Sequence, residues 1–275
     1  METKDFMGEN QRILEKWQQE FEKAGGSADQ FSWDGIMFKG AIYKDGENKW
    51  GHSEGRNENQ LWADAPLRIL YLTKDQNTKG GPCWDTREES YRKTNSELET
   101  NTLDTQYKFN RMLVYTLYGL ARTTPTQMMG YKDFSNSEAL EYIDKFPFAR
   151  INCKKEGGES SCPDNILIDA MDQYGTYLEE QIKNIDADIF VCCGSSYQGN
   201  IILDFLNQHG YNFEGPVDDD AAYDIYYDRK QNKIAIDSYH LSLRNYSQEK
   251  MYDEIVYTYH EFLKKYPEFY KSHRK

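Results

Sequence analysis

The chain has 275 residues, of which 38% are hydrophobic and 15% aromatic, so it can bury a sizeable core and is not a disordered protein. It has no apolar run near the roughly 18 residues that span a bilayer, and residues 1–8 are charged and lack the apolar stretch of a secretory signal. Five unevenly spaced cysteines suit a reducing compartment, and the formal net charge of −13 argues against a protein that coats nucleic acid through general attraction. We therefore expect a cytoplasmic monomer without a membrane segment.

Residues 1–65 are predicted to be an extension that packs on the core. Apolar residues recur at helical intervals over residues 6–24, and a pair of glycines ends that pattern. Residues 32–50 contain two apolar runs and an Asp45-Gly46 turn signal, which predict a small hairpin or a capping segment. We expect the remaining residues, 66–275, to form the main domain.

In the main domain, short apolar strands alternate with amphipathic helices. The strands are predicted over residues 67–72, 148–152, 188–193 and 233–236. The helices are predicted over residues 107–121, 165–185, 201–209 and 248–265. A long polar loop is predicted between the first strand and the first of these helices. This alternation is typical of a three-layer α/β/α domain with a central, mostly parallel, four-stranded sheet.

Polar side chains follow each predicted strand, at the edge of the sheet where ligands of such domains bind. The segments are residues 73–77 and 80–84 after the first strand, 152–155 after the second, 194–197 after the third and 237–245 after the fourth. A carboxylate can orient and deprotonate water, and a histidine can donate to an oxygen that gains negative charge. An asparagine amide offers the donor and the acceptor that recognition of a nucleobase edge requires.

These segments resemble the motifs of the uracil-DNA glycosylase superfamily, and the resemblance covers residues 67–265. Thr73-Lys-Asp-Gln-Asn77 is similar to the first motif, Gly-Gln-Asp-Pro-Tyr-His, and Asn152 matches the asparagine that ends the second strand. Residues 177–194 resemble the helix and strand ending in glycine of the family 4 enzymes. His240-Leu-Ser-Leu-Arg-Asn245 is similar to the His-Pro-Ser-Pro and Arg-Asn motif of the single-strand-selective branch.

The resemblance implies a role for each matching residue. Asp75 would activate water, Asn152 would recognise the base, and His240 would stabilise the departing anion. Ser242 would contact a phosphate. The other substrate-binding candidates are Gln76, Asn77, Arg244 and Asn245, with Trp84 or Phe109 as a stacking surface for a flipped base.

The departures from the family pattern concern the turns and the cofactor. Thr73 replaces the first glycine, the proline of the first motif is missing, and Leu241 and Leu243 replace both prolines of the second motif. The amino-terminal cysteine pair that holds the iron–sulfur cluster in family 4 is missing as well. We therefore predict neither a cofactor nor a metal.

The predicted function is hydrolysis of the N-glycosidic bond of a nucleobase, uracil or a damaged base, in DNA. Two alternatives stay open. One is a catalytically inactive member of the fold that binds a nucleotide or nucleic acid, and the other is a protein that binds a protein partner through residues 1–60. Structural roles are also open: Asp75 could cap its loop or pair with Lys74 or Lys79, and His240 could bind a main-chain carbonyl. Lys154-Lys155 is interpreted as a solvated pair.

Overall fold

The computed structural model describes residues 3–44, 50–52, 57–90, 92–95, 98–101, 103–159, 161–196, 199–216, 224–243 and 246–273. The helices are α1 (Phe6–Lys23), α2 (Glu58–Asp64), α3 (Lys108–Arg122), α4 (Asn136–Lys145), α5 (Asp164–Ile185), α6 (Ile201–Gln208), α7 (Gln248–Lys265) and α8 (Pro267–His273). The strands are β1 (Gly35–Ile36), β2 (Ala41–Lys44), β3 (Trp50–His52), β4 (Ile69–Thr73), β5 (Arg92–Asn95), β6 (Leu98–Asn101), β7 (Ala149–Asn152), β8 (Ile189–Cys192), β9 (Ser195–Ser196), β10 (Gly199–Asn200), β11 (Ile225–Asp228) and β12 (Lys233–Asp237).

The central sheet has six strands in the order β1-β7-β4-β8-β12-β11. Strands β7, β4, β8 and β12 are parallel to one another, and they are the four strands that the sequence predicts. The prediction of a four-stranded sheet was incomplete, because β1 and β11 add antiparallel edges. Strand β1 is two residues long, too short to show an alternating pattern, and β11 pairs with β12 across a tight turn at residues 229–232.

Side chains of the parallel strands alternate between two hydrophobic clusters, one on each face of the sheet. Ile69, Tyr71 and Val191 belong to the cluster that also contains the buried sides of α3 and α7. Leu70 and Phe190 belong to the other cluster, which contains the buried sides of α1, α5 and α6. The molecule is therefore α/β, with helices covering both faces of the sheet, as expected from the sequence.

A second sheet has the order β3-β2-β5-β6. Strands β2 and β3 form an antiparallel pair where the sequence predicts a small hairpin or a capping segment, although β3 extends beyond residue 50, and the Asp45-Gly46 turn signal lies outside the described residues. Strands β5 and β6 pair antiparallel within the segment predicted to be a long polar loop, and β5 runs parallel to β2. The loop prediction was therefore wrong for residues 92–95 and 98–101, which form paired strands.

Residues 1–65 contact the main domain at several places besides the pairing of β2 with β5. Strand β1 pairs with β7, so that Gly35 lies opposite Arg150, and helix α1 packs against α5. The extension therefore contributes an edge to the central sheet, and the boundary at residue 65 stays a prediction. Among the described residues, no helix is both long enough and apolar enough to cross a membrane.

A buried carboxylate just before β1 joins the extension to the end of β7. Asp34 is fully buried, and its Oδ1 accepts from Lys155 Nζ at 2.6 Å and from Gln181 Nε2 at 2.9 Å. Its Oδ2 accepts from the backbone N–H of Asn152 at 2.9 Å. Lys154 is also buried and pairs with Asp75. The interpretation of Lys154-Lys155 as a solvated pair was wrong, because carboxylates from other segments neutralise both side chains.

We expect Asp34→Ala to lower the free energy of unfolding by about 3–5 kcal/mol, because it leaves the buried Lys155 ammonium without its partner. Urea denaturation measures this change. The control is Glu261→Ala, which removes the surface partner of Lys264 at 2.7 Å and should cost several times less. Equal losses for the two variants would contradict the importance of the Asp34 pair.

Candidate functional site

A cavity of about 300 Å³ lies at the carboxyl ends of β4, β7 and β12, at the lower end of the size range of small-molecule pockets. Its wall includes eight residues that the sequence predicts for the site: Asp75, Gln76, Asn77, Trp84, Phe109, Asn152, His240 and Ser242. Its other lining residues are Thr73, Glu89, Tyr107, Asn110 and Arg150. The structure thus brings these eight residues together, and the roles given to them stay predictions.

Two predicted site residues and one predicted segment contribute nothing described to this wall. Arg244 and Asn245 lie outside the described residues. In the segment after the third parallel strand, Ser195–Ser196 forms strand β9, which pairs with β10 and does not line the cavity.

Asp75 is nearly buried, with 9% of its side chain exposed. Its Oδ2 lies 3.5 Å from Lys154 Nζ, and its carboxylate also interacts with the Cys162 thiol. Burial raises the pKa of Asp75, and the nearby Lys154 charge opposes that rise. The expected alternative partner, Lys74, instead pairs with Asp164 at 2.7 Å. A buried carboxylate with a raised pKa is a stronger base than a surface aspartate.

A glycine makes room for this carboxylate. A Cβ added at Gly158 would lie 2.0 Å from Asp75 Oδ2, closer than any real contact. Gly158 also donates its backbone N–H to Gln76 O at 2.8 Å, so the loop after β7 packs directly on the loop after β4. The Asp75 carboxylate is therefore confined between backbone and Lys154.

Asn152 ends β7 and is only 2% exposed. Its Oδ1 accepts from Thr73 Oγ1 at 2.8 Å, and its Nδ2 donates to Ser32 Oγ at 3.0 Å. An amide has two donor hydrogens and two acceptor lone pairs, so one of each stays available for a ligand. The side chain is fixed in place by the protein and still offers the two groups that base recognition needs.

Gln76 fixes the position of Trp84. The Gln76 amide donates to Trp84 O and accepts from Trp84 N, both at 3.0 Å. The indole of Trp84 is 46% exposed, and its Nε1 donates to Glu89 Oε1 at 2.7 Å. Gln76 therefore supports the loop through its amide, whereas Trp84 presents an aromatic face that a ligand can reach.

His240 stacks on Phe109, with 5.3 Å between ring centroids and 24° between ring planes. Its Nδ1 lies 2.8 Å from Ser242 Oγ and 3.3 Å from the backbone nitrogen of Ser242. A backbone N–H can only donate, so Nδ1 is the acceptor and the proton of the neutral ring is on Nε2. Burial, with the positive charges of Lys74 and Arg150, lowers the pKa of His240 to about 4. The ring is therefore a neutral Nε2–H donor at physiological pH.

Hydrogen bonds and packing against the core hold the turn that carries His240 in place. Leu243 donates its backbone N–H to His240 O at 2.8 Å, and Lys108 Nζ donates to the carbonyls of Leu243 and Tyr246 at 2.6 and 2.5 Å. Leu241 is fully buried in the cluster beneath the sheet. Leu243 packs against the same cluster, so both leucines of this segment contact the core.

Glu89 and Arg150 are the charged wall residues that the sequence analysis missed. They form a bidentate pair with N–O distances of 3.0 and 3.1 Å, and the Arg150 guanidinium lies 5.5 Å from the centroid of the Phe109 ring. An arginine within the apolar strand Phe148-Ala-Arg-Ile-Asn152 was the available signal, because a buried arginine requires a partner. Nothing in the sequence around Glu89 identified it as that partner.

A second cavity, of about 360 Å³, lies between α1 and α5 and is lined by Trp17, Tyr174 and Lys154 among others. It contains none of the predicted site residues. Lys154 lines this second cavity, and its ammonium contacts Asp75, which lines the first. Among the described residues, no group of three or more His, Cys, Asp or Glu side chains is arranged to hold a metal ion.

Comparison with known proteins finds no family model that matches the chain, no similar curated protein and no similar solved structure.

We expect the His240 imidazole to titrate with a pKa of about 4 and to carry its proton on Nε2 when neutral; ¹⁵N NMR of labelled histidine measures both. An ordinary value is 6.5, so between about pH 6.5 and pH 4 the unfolded chain binds more protons at this residue than the folded one. Its contribution to stability is therefore complete above pH 6.5 and is lost as the pH falls towards 4. A pKa near 6.5 in the folded protein, or a proton on Nδ1, would contradict this assignment.

Proposed function

We propose that this cavity hydrolyses the N-glycosidic bond between a nucleobase, uracil or a damaged base, and deoxyribose in DNA. One observation supports the proposal above all: Asp75, Asn152 and His240 line a single cavity of nucleobase size at the ends of parallel strands. These are the residues in which the sequence resembles the uracil-DNA glycosylase superfamily, in the same order along the chain.

The reaction needs a base and a donor on opposite sides of the bond. The oxygen of water adds to C1′ while the C1′–N bond breaks, and the electron pair of that bond leaves with the nucleobase. Asp75 orients the water, accepts its proton and offsets the positive charge that develops on the sugar. His240 donates its Nε2–H to an oxygen of the departing base, which finally takes up the proton that the water released.

The surroundings of the cavity suit a base that has flipped out of the DNA double helix. Asn152 keeps one donor and one acceptor for the base edge, and the exposed rings of Trp84 and Tyr107 line the cavity. Residues 66–125 contain nine Lys/Arg and seven Asp/Glu, a local charge of +2, whereas the rest of the chain carries −15. The part of the chain that follows β4 thus repels a polyanion less than the rest does.

Binding without hydrolysis is the second candidate function. The contact between Lys154 and Asp75 favours it, because the Lys154 ammonium opposes the rise in the Asp75 pKa and leaves the carboxylate a weaker base than burial alone would make it. A protein of this kind would still hold a base or a nucleotide in the same cavity.

The hydrolysis proposal predicts that the protein releases uracil from oligonucleotides and that Asp75→Asn and His240→Ala each slow the release by about 100-fold or more. Single-turnover assays on single- and double-stranded substrates measure the rate. The control is Asp172→Asn, an exposed carboxylate on α5 outside the cavity, which should leave the rate unchanged. If the wild type releases no more uracil than the Asp75→Asn/His240→Ala double variant, the hydrolysis proposal is wrong for these substrates.

Binding tests the part that both candidate functions share. We expect Trp84→Ala to weaken binding of a uracil-containing single strand by about 1–3 kcal/mol, because a base loses its stacking surface. Fluorescence anisotropy over a series of salt concentrations measures the affinity. The control is Tyr257→Ala, which removes a half-exposed aromatic ring on α7. Equal affinities of the two variants, or no salt-dependent binding by the wild type, would instead favour a protein partner.

A further inference from the structure

Arg150 occupies an unusual position for an arginine, on a central strand beside the candidate site. It is 5% exposed, and both of its terminal nitrogens donate to Glu89. Its Nε–H finds no acceptor among the described residues. A buried donor without a partner costs free energy, and a ligand oxygen that accepts from this N–H would remove that cost.

Arg150 and His240 both contact the ring of Phe109. The guanidinium lies over the Phe109 ring, and that ring stacks on the imidazole of His240. Arg150 is among the charges that lower the pKa of His240. The field at His240 therefore disfavours an imidazolium and favours an anion on the ligand side.

We propose that Arg150 is a further catalytic residue, which contacts the nucleobase and stabilises the negative charge that the base carries as it departs. This inference rests on the proposed function and narrows its substrate class. A wall with donors on His240 and Arg150 fits a base with oxygen acceptors on its edge, an oxo-base rather than an amino-base. Such bases leave as anions whose charge is shared by their oxygens. A fixed cation that is itself only 5% exposed stabilises that charge more than a freely solvated cation would.

Glu89 has a separate part in this arrangement. Its carboxylate holds the guanidinium in one orientation and also accepts from Trp84 Nε1. It partly neutralises Arg150, so it weakens the attraction for an anion while it fixes the geometry. The two members of one ion pair should therefore have opposite effects on the binding of an anionic base.

The experiment compares Arg150→Met with Glu89→Gln by titration calorimetry at one neutral pH. The probes are free uracil, 5-fluorouracil, whose N–H is more acidic, and cytosine as the amino-base control. We expect the wild type to bind 5-fluorouracil more tightly than uracil and cytosine least tightly. Arg150→Met should bind 5-fluorouracil at least tenfold more weakly than the wild type does. It should also no longer bind 5-fluorouracil more tightly than uracil. Glu89→Gln, which keeps the acceptor for Trp84, should bind at least as tightly as the wild type.

The opposite responses separate a binding role from a structural one, because both substitutions break the same ion pair. Equal losses in the two variants would mean that Arg150 only maintains the loop, and absence of base binding by the wild type would also overturn the proposal. Thermal unfolding checks that the variants fold. If Arg150→Met does not fold, Arg150→Lys is used in its place. Lysine keeps the positive charge but cannot donate two parallel hydrogen bonds, so we expect its affinity for 5-fluorouracil to fall by about threefold. A tenfold loss in Glu89→Gln would then overturn the proposal.

The two proposals fail in different ways. Opposite responses in binding, together with no release of base from DNA, would contradict the hydrolysis and leave Arg150 as the residue that binds an anionic base. Release of base that is equally fast in wild type and Arg150→Met would contradict the role of Arg150 and leave the hydrolysis proposal standing.

Discussion

The geometry of the candidate site depends on one buried carboxylate, that of Asp34. It is fully buried, and it holds Lys155, Gln181 and the backbone N–H of Asn152 at the same time. Strand β7, helix α5 and the extension before β1 therefore meet at a single charged group. A buried ion pair is not in itself a source of stability, but its geometry permits only one arrangement of the chains that supply its partners. Asn152, which we propose to recognise the base, is fixed by that arrangement.

Pairing of buried charges also determines the surroundings of the rest of strand β7 and of the residues that follow it. Arg150 is neutralised by Glu89 and Lys154 by Asp75, so each buried cation selects a carboxylate from a segment distant in sequence. Because a charge left unpaired in the interior is expensive, these pairs determine where the loops after β4 come to rest. The electrostatics of the cavity and the positions of its loops thus have a common origin.

The convergence of Asp75, Asn152 and His240 was predictable from the sequence, because each follows a parallel strand and the carboxyl ends of such strands share one edge of the sheet. The pair of Glu89 and Arg150 was not, since its members are 61 positions apart and neither pattern nor spacing links them. Lys154 and Lys155 were misinterpreted for the same reason. Whether a lysine is solvated or buried depends on carboxylates that only the folded chain brings near. Strand β1 was not predicted, because two residues are too few to show the alternation of buried and exposed side chains that marks a strand.

Leu241 and Leu243 stand where the motif that the sequence resembles has prolines, which raises the question of what keeps the His240 turn rigid. A proline restricts its own backbone, whereas leucine leaves it free in the unfolded chain. Here the restriction comes from outside the turn: Leu241 is anchored in the core, and Lys108 binds the carbonyls of Leu243 and Tyr246. Tertiary contacts can fix a turn as firmly as proline, but only once helix α3 is in place. The orientation of His240 is therefore coupled to the packing of α3, which also supplies Phe109, the ring on which the imidazole stacks.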